Sequence, residues 1–146
     1  MFTHILISTD GSPVSNKAAK AGIALASALG AKVTAYCAVE PMQTVYAEGY
    51  AFDQKVIEEI EEHARKAAQK RVDAIGKMAK AARVPFTSVV TKNSTPYEGI
   101  IDAAKKHKCD VIFMASHGRR GLSALIMGSV TQKVLSHSRI PVVVYR

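Results

Sequence analysis

No stretch of the sequence is long and apolar enough to span a bilayer, which excludes an α-helical membrane protein. The start of the chain has no basic flank and no extended apolar core. It runs into Ile5-Leu6-Ile7 and then Asp10, so no signal peptide is expected and the expected location is cytoplasmic. There are only 2 cysteines, Cys37 and Cys109, without metal-ligand spacing, and both are expected to be reduced and buried. The familiar phosphate-binding signatures are missing too: neither G-x4-G-K-[ST] nor G-x-G-x-x-G occurs. Ser116 lacks the G-x-S-x-G context of a nucleophile elbow. Acidic residues are few, 12 against 20 lysines and arginines, for a net charge of +8. That excess invites a nucleic-acid reading. The basic residues are scattered, however, and no nucleic-acid motif or aromatic platform accompanies them. The sequence therefore speaks against nucleic acid, and the positive surface is read as an aid to attracting an anionic small molecule.

What is present is an alternation of strand and helix patterns over 146 residues, the length of one domain, with 48% hydrophobic and 22% charged residues. The first strand is expected at residues 3–8. Ser12-Pro13 then reads as N-cap and first helical position, Val14, Ala18, Ala21, Leu25 and Leu29 keep a helical period, and Gly30 is the stop. The second strand is expected at residues 32–39. Residues 42–54, with Tyr46, Tyr50 and Phe52, show no period and read as a loop or short irregular helix: a lid, surface cover or subunit contact. The second helix, residues 56–83, carries its apolar line on Val56, Ile60, Ala64, Ala67 or Ala68, Val72, Ile75, Ala79 and Ala82, with Glu61–Arg65 and Glu62–Lys66 as expected ion pairs. Val84-Pro85 stops it. A third strand at residues 86–91 follows. Thr95-Pro96-Tyr97-Glu98 reads as a capping box opening a third helix that runs to about residue 108, with Ile100, Ile101 and Ala104 inward.

The stretch from Asp110 to Thr131 carries the chemistry. Val111 to Ala115 is an unbroken apolar run, which reads as a strand buried on both faces. Ser116-His117-Gly118 ends it, a loop with Arg119, Arg120 and Gly121 follows, and Gly128-Ser129 opens a helix patterned on Val130, Val134 and Leu135. A strand feeding a glycine-marked loop and a helix start is where an α/β protein holds phosphate. First-turn N–H groups point outward, the dipole favours an anion, and glycine lets backbone approach a ligand. Ile140-Pro141 leads into a last strand at residues 142–145. Regular β-α alternation gives a parallel sheet with helices on both faces. Asp10 falls at the carboxyl end of the first strand, the ligand-binding edge of such sheets. Its other reading is a turn carboxylate.

Ala115-x2-Gly118-x9-Gly128-Ser129 resembles the G-x2-G-x9-G-[ST] motif of the nucleotide-binding branch of the universal stress protein family, departing from it at alanine 115. Asp110-Val111-Ile112, Ser129-Val130-Thr131 and Ile140-Pro141-Val142-Val143-Val144 fit as well, so the resemblance spans residues 1–146. It implies an open, Rossmann-like, five-stranded sheet of order 3-2-1-4-5, with Asp10 and the segment from Gly118 to Thr131 flanking one crevice. It further implies a nucleotide-binding set of Ser8, Thr9, Asp10, Ala38, Met114, Ala115, Gly118, Gly128, Ser129, Val130 and Thr131. Backbone N–H groups of Gly118, Gly128, Ser129 and Val130 would cradle phosphates, and the Ser129 and Thr131 hydroxyls would add hydrogen bonds. Asp10 would meet the ribose or, through water, a magnesium ion. Ala38, Met114 and Ala115 backbone would line base and sugar.

The expected ligand is thus ATP or AMP, with magnesium through the phosphates, in a stress-response or signalling module. The family edge, Pro141 to Tyr145, implies a homodimer. The competing reading is a member that binds no nucleotide and works through protein–protein contacts. No catalytic or metal-ligating constellation is legible. His117 reads as a loop histidine bonded to backbone, and any ATPase activity would be slow. Gly128→Val is expected to block phosphate while leaving the fold largely intact.

Overall fold

A computed structural model describes residues 1–41, 53–119 and 127–146. The expected lid at residues 42–54 lies outside them except for its last two residues, and so do Arg120 and Gly121 of the glycine-marked loop. The elements run β1 (His4–Ser8), α1 (Pro13–Leu29), β2 (Lys32–Val39), α2 (Gln54–Ala81), β3 (Phe86–Lys92), α3 (Pro96–Lys106), β4 (Val111–Ala115), α4 (Ser129–His137) and β5 (Val142–Tyr145). The five strands are parallel and ordered β3-β2-β1-β4-β5, as the family resemblance implies.

Every residue of β1 and β4 is buried, because each strand is covered on both faces. Ile5 and Ile7 point into one core with Ala18 and Ile23 of α1 and Val72 and Ile75 of α2. Leu6, between them, points into the other with Ile100 and Ala104 of α3, Ile112 of β4 and Val134 of α4. This two-sided burial is why the strands read as continuous apolar runs. Each such side chain contributes about 1.5–3 kcal/mol by leaving water. The local signals at α1 hold: Ser12 Oγ accepts the Ser15 N–H at 3.2 Å, Pro13 follows, and Gly30 closes the helix at φ 65°.

Four local expectations give way. The apolar line of α2 sinks only from Ala64 onward, and Val56 and Ile60 stay 42% and 43% exposed. A helix of 28 residues is about 42 Å long, against about 26 Å for the 8 residues of β2, so its first turns overhang the sheet. Glu61 pairs with Lys92 at 2.7 Å rather than with Arg65, because the Arg65 fork is engaged by both oxygens of Glu62 at 2.8 and 2.9 Å. The capping box at Thr95 does not form. Asn93 Oδ1 accepts the Thr95 N–H at 2.7 Å, and Glu98 accepts instead from the Tyr97 hydroxyl at 3.0 Å. An Asx turn one step upstream has taken the local hydrogen bonding. Leu135 is 42% exposed, since the 9-residue α4 lays down a single stripe through Thr131 and Val134.

Candidate functional site

Strand order makes β1 and β4 neighbours whose chains leave the sheet in opposite directions, β1 toward α1 and β4 toward α4. A crevice must open where they part. The described residues enclose a cleft of about 510 Å³ there, within the range of small-molecule sites. All eleven positions assigned to nucleotide binding line it: Ser8, Thr9, Asp10, Ala38, Met114, Ala115, Gly118, Gly128, Ser129, Val130 and Thr131.

Asp10 is the hinge of this arrangement. Its Oδ1 accepts the Ser12 N–H at 2.9 Å, and its Oδ2 accepts the Arg119 N–H at 2.8 Å. One carboxylate thus ties the β1–α1 turn to the loop after β4. Burial pushes its pKa up, but the Ser12 backbone and hydroxyl, the Arg119 N–H and the Arg119 charge outweigh that, and the net shift is downward. Asp10 is an anion at neutral pH with acceptor capacity left beyond these bonds. The residues around it are knitted inward: Ser15 Oγ bonds Thr9 Oγ1 at 2.9 Å, and the Thr9 N–H bonds the Tyr36 carbonyl at 2.9 Å.

Gly118 is small for a reason the structure makes explicit. A Cβ there would run into the Asp10 carboxylate. At Gly128 a Cβ would sit 3.1 Å from His117 Cα, tighter than ordinary packing. Valine at 128, expected to block phosphate, would press on the backbone of the β4–α4 connection and need it to yield by a few tenths of an ångström.

Two of the assigned donors are already engaged. The Gly128 N–H bonds the Ser116 carbonyl at 2.8 Å, and the Thr131 hydroxyl bonds the Ala115 carbonyl at 3.0 Å. These bonds staple α4 to the end of β4. What remains at the mouth is the first turn of α4, which no side chain caps among the described residues, with Ser129 and Val130 lining the cleft. Ala115 sits inside β4, and the only described non-glycine residues with positive φ are Arg83 and Lys108. The alanine thus fits its position without backbone strain.

Among the described residues His117 bonds a side chain rather than backbone, with its Nδ1 3.1 Å from Ser116 Oγ. The cleft also contains residues that sequence reasoning did not assign, chiefly Tyr36, Glu40, Ala64, Ala67, Arg71 and Ile100. A signal existed for three of them. Ala64, Ala67 and Arg71 are spaced i, i+3, i+7 on α2, a stripe of two small residues leading to a guanidinium. The core line reads through Ala64 and Ala67 or Ala68 to Val72 and passes Arg71 by.

Comparison with known proteins places this geometry. The profile described as the universal stress protein family matches residues 1–146. Universal stress protein MJ0531 of Methanocaldococcus jannaschii is 32% identical, covering 100% of this chain and 83% of its own. Universal stress protein in QAH/OAS sulfhydrylase 3'region of Thermus aquaticus is 30% identical over 100% of both chains. The solved structure of MJ0577, from Methanocaldococcus jannaschii, superposes with a TM-score of 0.82 at 24% identity, covering 99% of this chain and 95% of the other. A universal stress protein in complex with cAMP gives 0.72 at 20% identity, covering 99% and 97%. One from Archaeoglobus fulgidus in complex with dAMP gives 0.64 at 16%, covering 100% and 98%. At such identities the structural likeness speaks for the fold, and the sequence matches carry the classification: this chain belongs to the universal stress protein family.

Proposed function

We propose that this protein is an ATP- or AMP-binding stress-response or signalling module of the cytoplasm, acting as a homodimer. The observation that carries the reading is the crevice at the carboxyl ends of β1 and β4. An ionised, preorganised Asp10 faces the uncapped first turn of α4 across two glycine-narrowed segments. Free first-turn N–H groups and the helix dipole suit phosphate. The remaining lone pairs of Asp10 suit ribose hydroxyls, or a magnesium ion held through water and the phosphates. Ala38, Met114 and Ala115, with Ile100 beside them, give an apolar wall for base and sugar. The family relatives solved with cAMP and dAMP lend support, since both ligands are adenine nucleotides.

A thermal-shift titration with Mg-ATP tests the reading. Binding at 100 Kd would stabilise the fold by about 2.7 kcal/mol, and no shift at millimolar ATP and AMP overturns it. A second reading, a protein-interaction dimer without nucleotide, is favoured by the internal bonds of the Gly128 N–H and the Thr131 hydroxyl, which withdraw two donors from any ligand. Nucleotide released from the purified protein on denaturation would reject it. In either case we assign the subunit contact to β5. It is one of the two sheet edges and reads VVVY, whereas the other edge, β3, carries Thr87, Ser88, Thr91 and Lys92. An apolar edge favours pairing and a polar, lysine-bearing one resists it. A monomer by light scattering would remove this assignment.

A further inference from the structure

Arg71 stands on the wall of the cleft that α2 provides. Its side chain lies over Gly11, where an added Cβ would come within 2.8 Å of its Cδ and Nε. The residue is partly buried. Its guanidinium carries five donors, yet the hydrogen bond it makes among the described residues is a weak one, Nη1 to Cys37 Sγ at 3.9 Å. Burial pushes the Cys37 thiol up more than Arg71 pulls it down, so the sulfur stays protonated and gives the guanidinium no counter-charge. Among the described residues no carboxylate forms an ion pair with Arg71, while Arg65, Lys66 and Lys92 on nearby surfaces are all paired. Side chains on a helix lean toward its N-terminus. Ala67 and Ala64, one and two turns before Arg71 on α2, line the same cleft with small side chains.

A half-buried cation without an anion is a poor structural element, because it gives up hydration without an ion pair in return. It is a good recognition element when the anion arrives with the ligand. Arg71 would then meet two oxygens of one phosphate at once, the bidentate geometry that its fork favours. We propose that Arg71 is a phosphate-recognition residue, gripping the bound nucleotide's phosphate chain from the α2 wall, opposite the first turn of α4. This rests on the nucleotide reading above and adds what that reading lacks, a charged side chain that distinguishes a nucleotide from its nucleoside.

The test compares ATP, AMP and adenosine on wild type, Arg71→Met and Arg71→Lys by calorimetry, with the melting temperature of each free protein as a fold check. Methionine keeps a long stem over Gly11 and removes the charge. Lysine keeps the charge and removes the fork. The expected result is an ATP affinity at least tenfold weaker in Arg71→Met, an intermediate value in Arg71→Lys, and adenosine affinity within twofold of wild type in both. Should Arg71→Met fail to fold, the Arg71→Lys comparison alone decides, with weakened ATP and unchanged adenosine as the supporting outcome. Wild-type ATP affinity in the variants overturns the inference and leaves the nucleotide reading standing. So does an equal loss for adenosine, which would put Arg71 on the base or sugar. A wild-type protein that takes none of the three overturns the nucleotide reading and this inference with it.

Discussion

The pair β1–β4 is clasped at both ends by an aspartate, and the two clasps differ. At the amino ends of the strands, Asp110 accepts the Thr3 N–H and the Thr3 hydroxyl at 2.8 Å each and the His4 N–H at 3.1 Å. At the carboxyl ends, Asp10 accepts the Ser12 and Arg119 N–H groups at 2.9 and 2.8 Å. Both carboxylates have lowered pKa values. In each case burial acts against the charge and hydrogen-bond donors more than offset it. The difference lies in what surrounds them. Asp110 has closed a seam, with Cys109 buried beside it and Asp110 N–H bonded to the His4 carbonyl at 2.9 Å. Asp10 holds a seam open, because the neighbour it binds is a loop that leaves the sheet and the space between is the cleft. The same chemistry serves cohesion at one end and preorganisation at the other. Topology decides which, since strands in a parallel sheet turn their connections toward ligands only at their carboxyl ends.

If that contrast is right, a substitution at the open end should abolish ligand response and one at the closed end should spare it. The largest effect is expected from Gly118→Val. Its side chain would displace the Asp10 carboxylate, breaking the Arg119 contact and filling the mouth. Nucleotide-induced thermal shift should vanish, with a stability loss of roughly 1–3 kcal/mol from overpacking. A variant that still shifts with ATP would mean that Asp10 is not the organising residue. Next in size is Asp110→Ala, which frees two N–H groups and a hydroxyl near the surface and should lower stability by about 1–2 kcal/mol in denaturant melts. Nucleotide affinity should stay within twofold of wild type. A large drop in affinity would show the two ends to be coupled through β1. Gly128→Ala should fall between wild type and Gly118→Val. Its Cβ needs His117 to yield a few tenths of an ångström from 3.1 Å, so a modest loss of melting temperature and a measurable loss of ATP affinity are expected.

How much of this contrast the sequence displayed depends on the range of the interactions involved. Strand and helix positions were legible because two-sided burial writes itself as apolar runs and helical packing as a 3.6-residue period. Ser12-Pro13 and Gly30 were legible because caps are local. The gathering of Asp10, Gly118 and Gly128 into one crevice was legible only through the family motif, since nothing local connects residue 10 to residue 118. What the sequence did not reveal is competition between partners. In a capping box Glu98 would accept the Thr95 N–H and the Thr95 hydroxyl the Glu98 N–H, but Asn93 takes the first and the Thr95 carbonyl the second. Gly128 and Thr131 carry the right donors for phosphate, and the carbonyls of Ser116 and Ala115 use them. Arg71 was invisible because its neighbour Val72 belongs to the core line and residues one apart on a helix face different ways.

The smallest expected effect concerns His4, and it sharpens the picture of the closed end. His4 is buried, its Nε2 lies 2.8 Å from Thr34 Oγ1, and its Nδ1 makes no hydrogen bond among the described residues. A bare Nδ1 lone pair is tolerable, but protonation would place a charge where burial strips it of water. Burial is the main cause of its lowered pKa; Lys32 and His107 act in the same direction, whereas Asp110 and the Lys108 backbone act against them. The folded protein therefore holds this proton more weakly than the unfolded chain, whose histidine titrates near about 6.5. The sign follows from linkage. The contribution is fully present above that value and is lost as pH falls through the lower folded value. His4→Gln, which preserves a hydrogen bond to Thr34 without a titrating ring, should flatten the stability profile just below pH ~6.5. The carboxylate-dependent fall below about pH 4, from Asp10 and Asp110, should remain. Measuring denaturant midpoints of wild type and variant across that interval separates the two limbs. Parallel curves would mean that the closed end opens to water around His4, and its distinction from the mouth would narrow to topology alone.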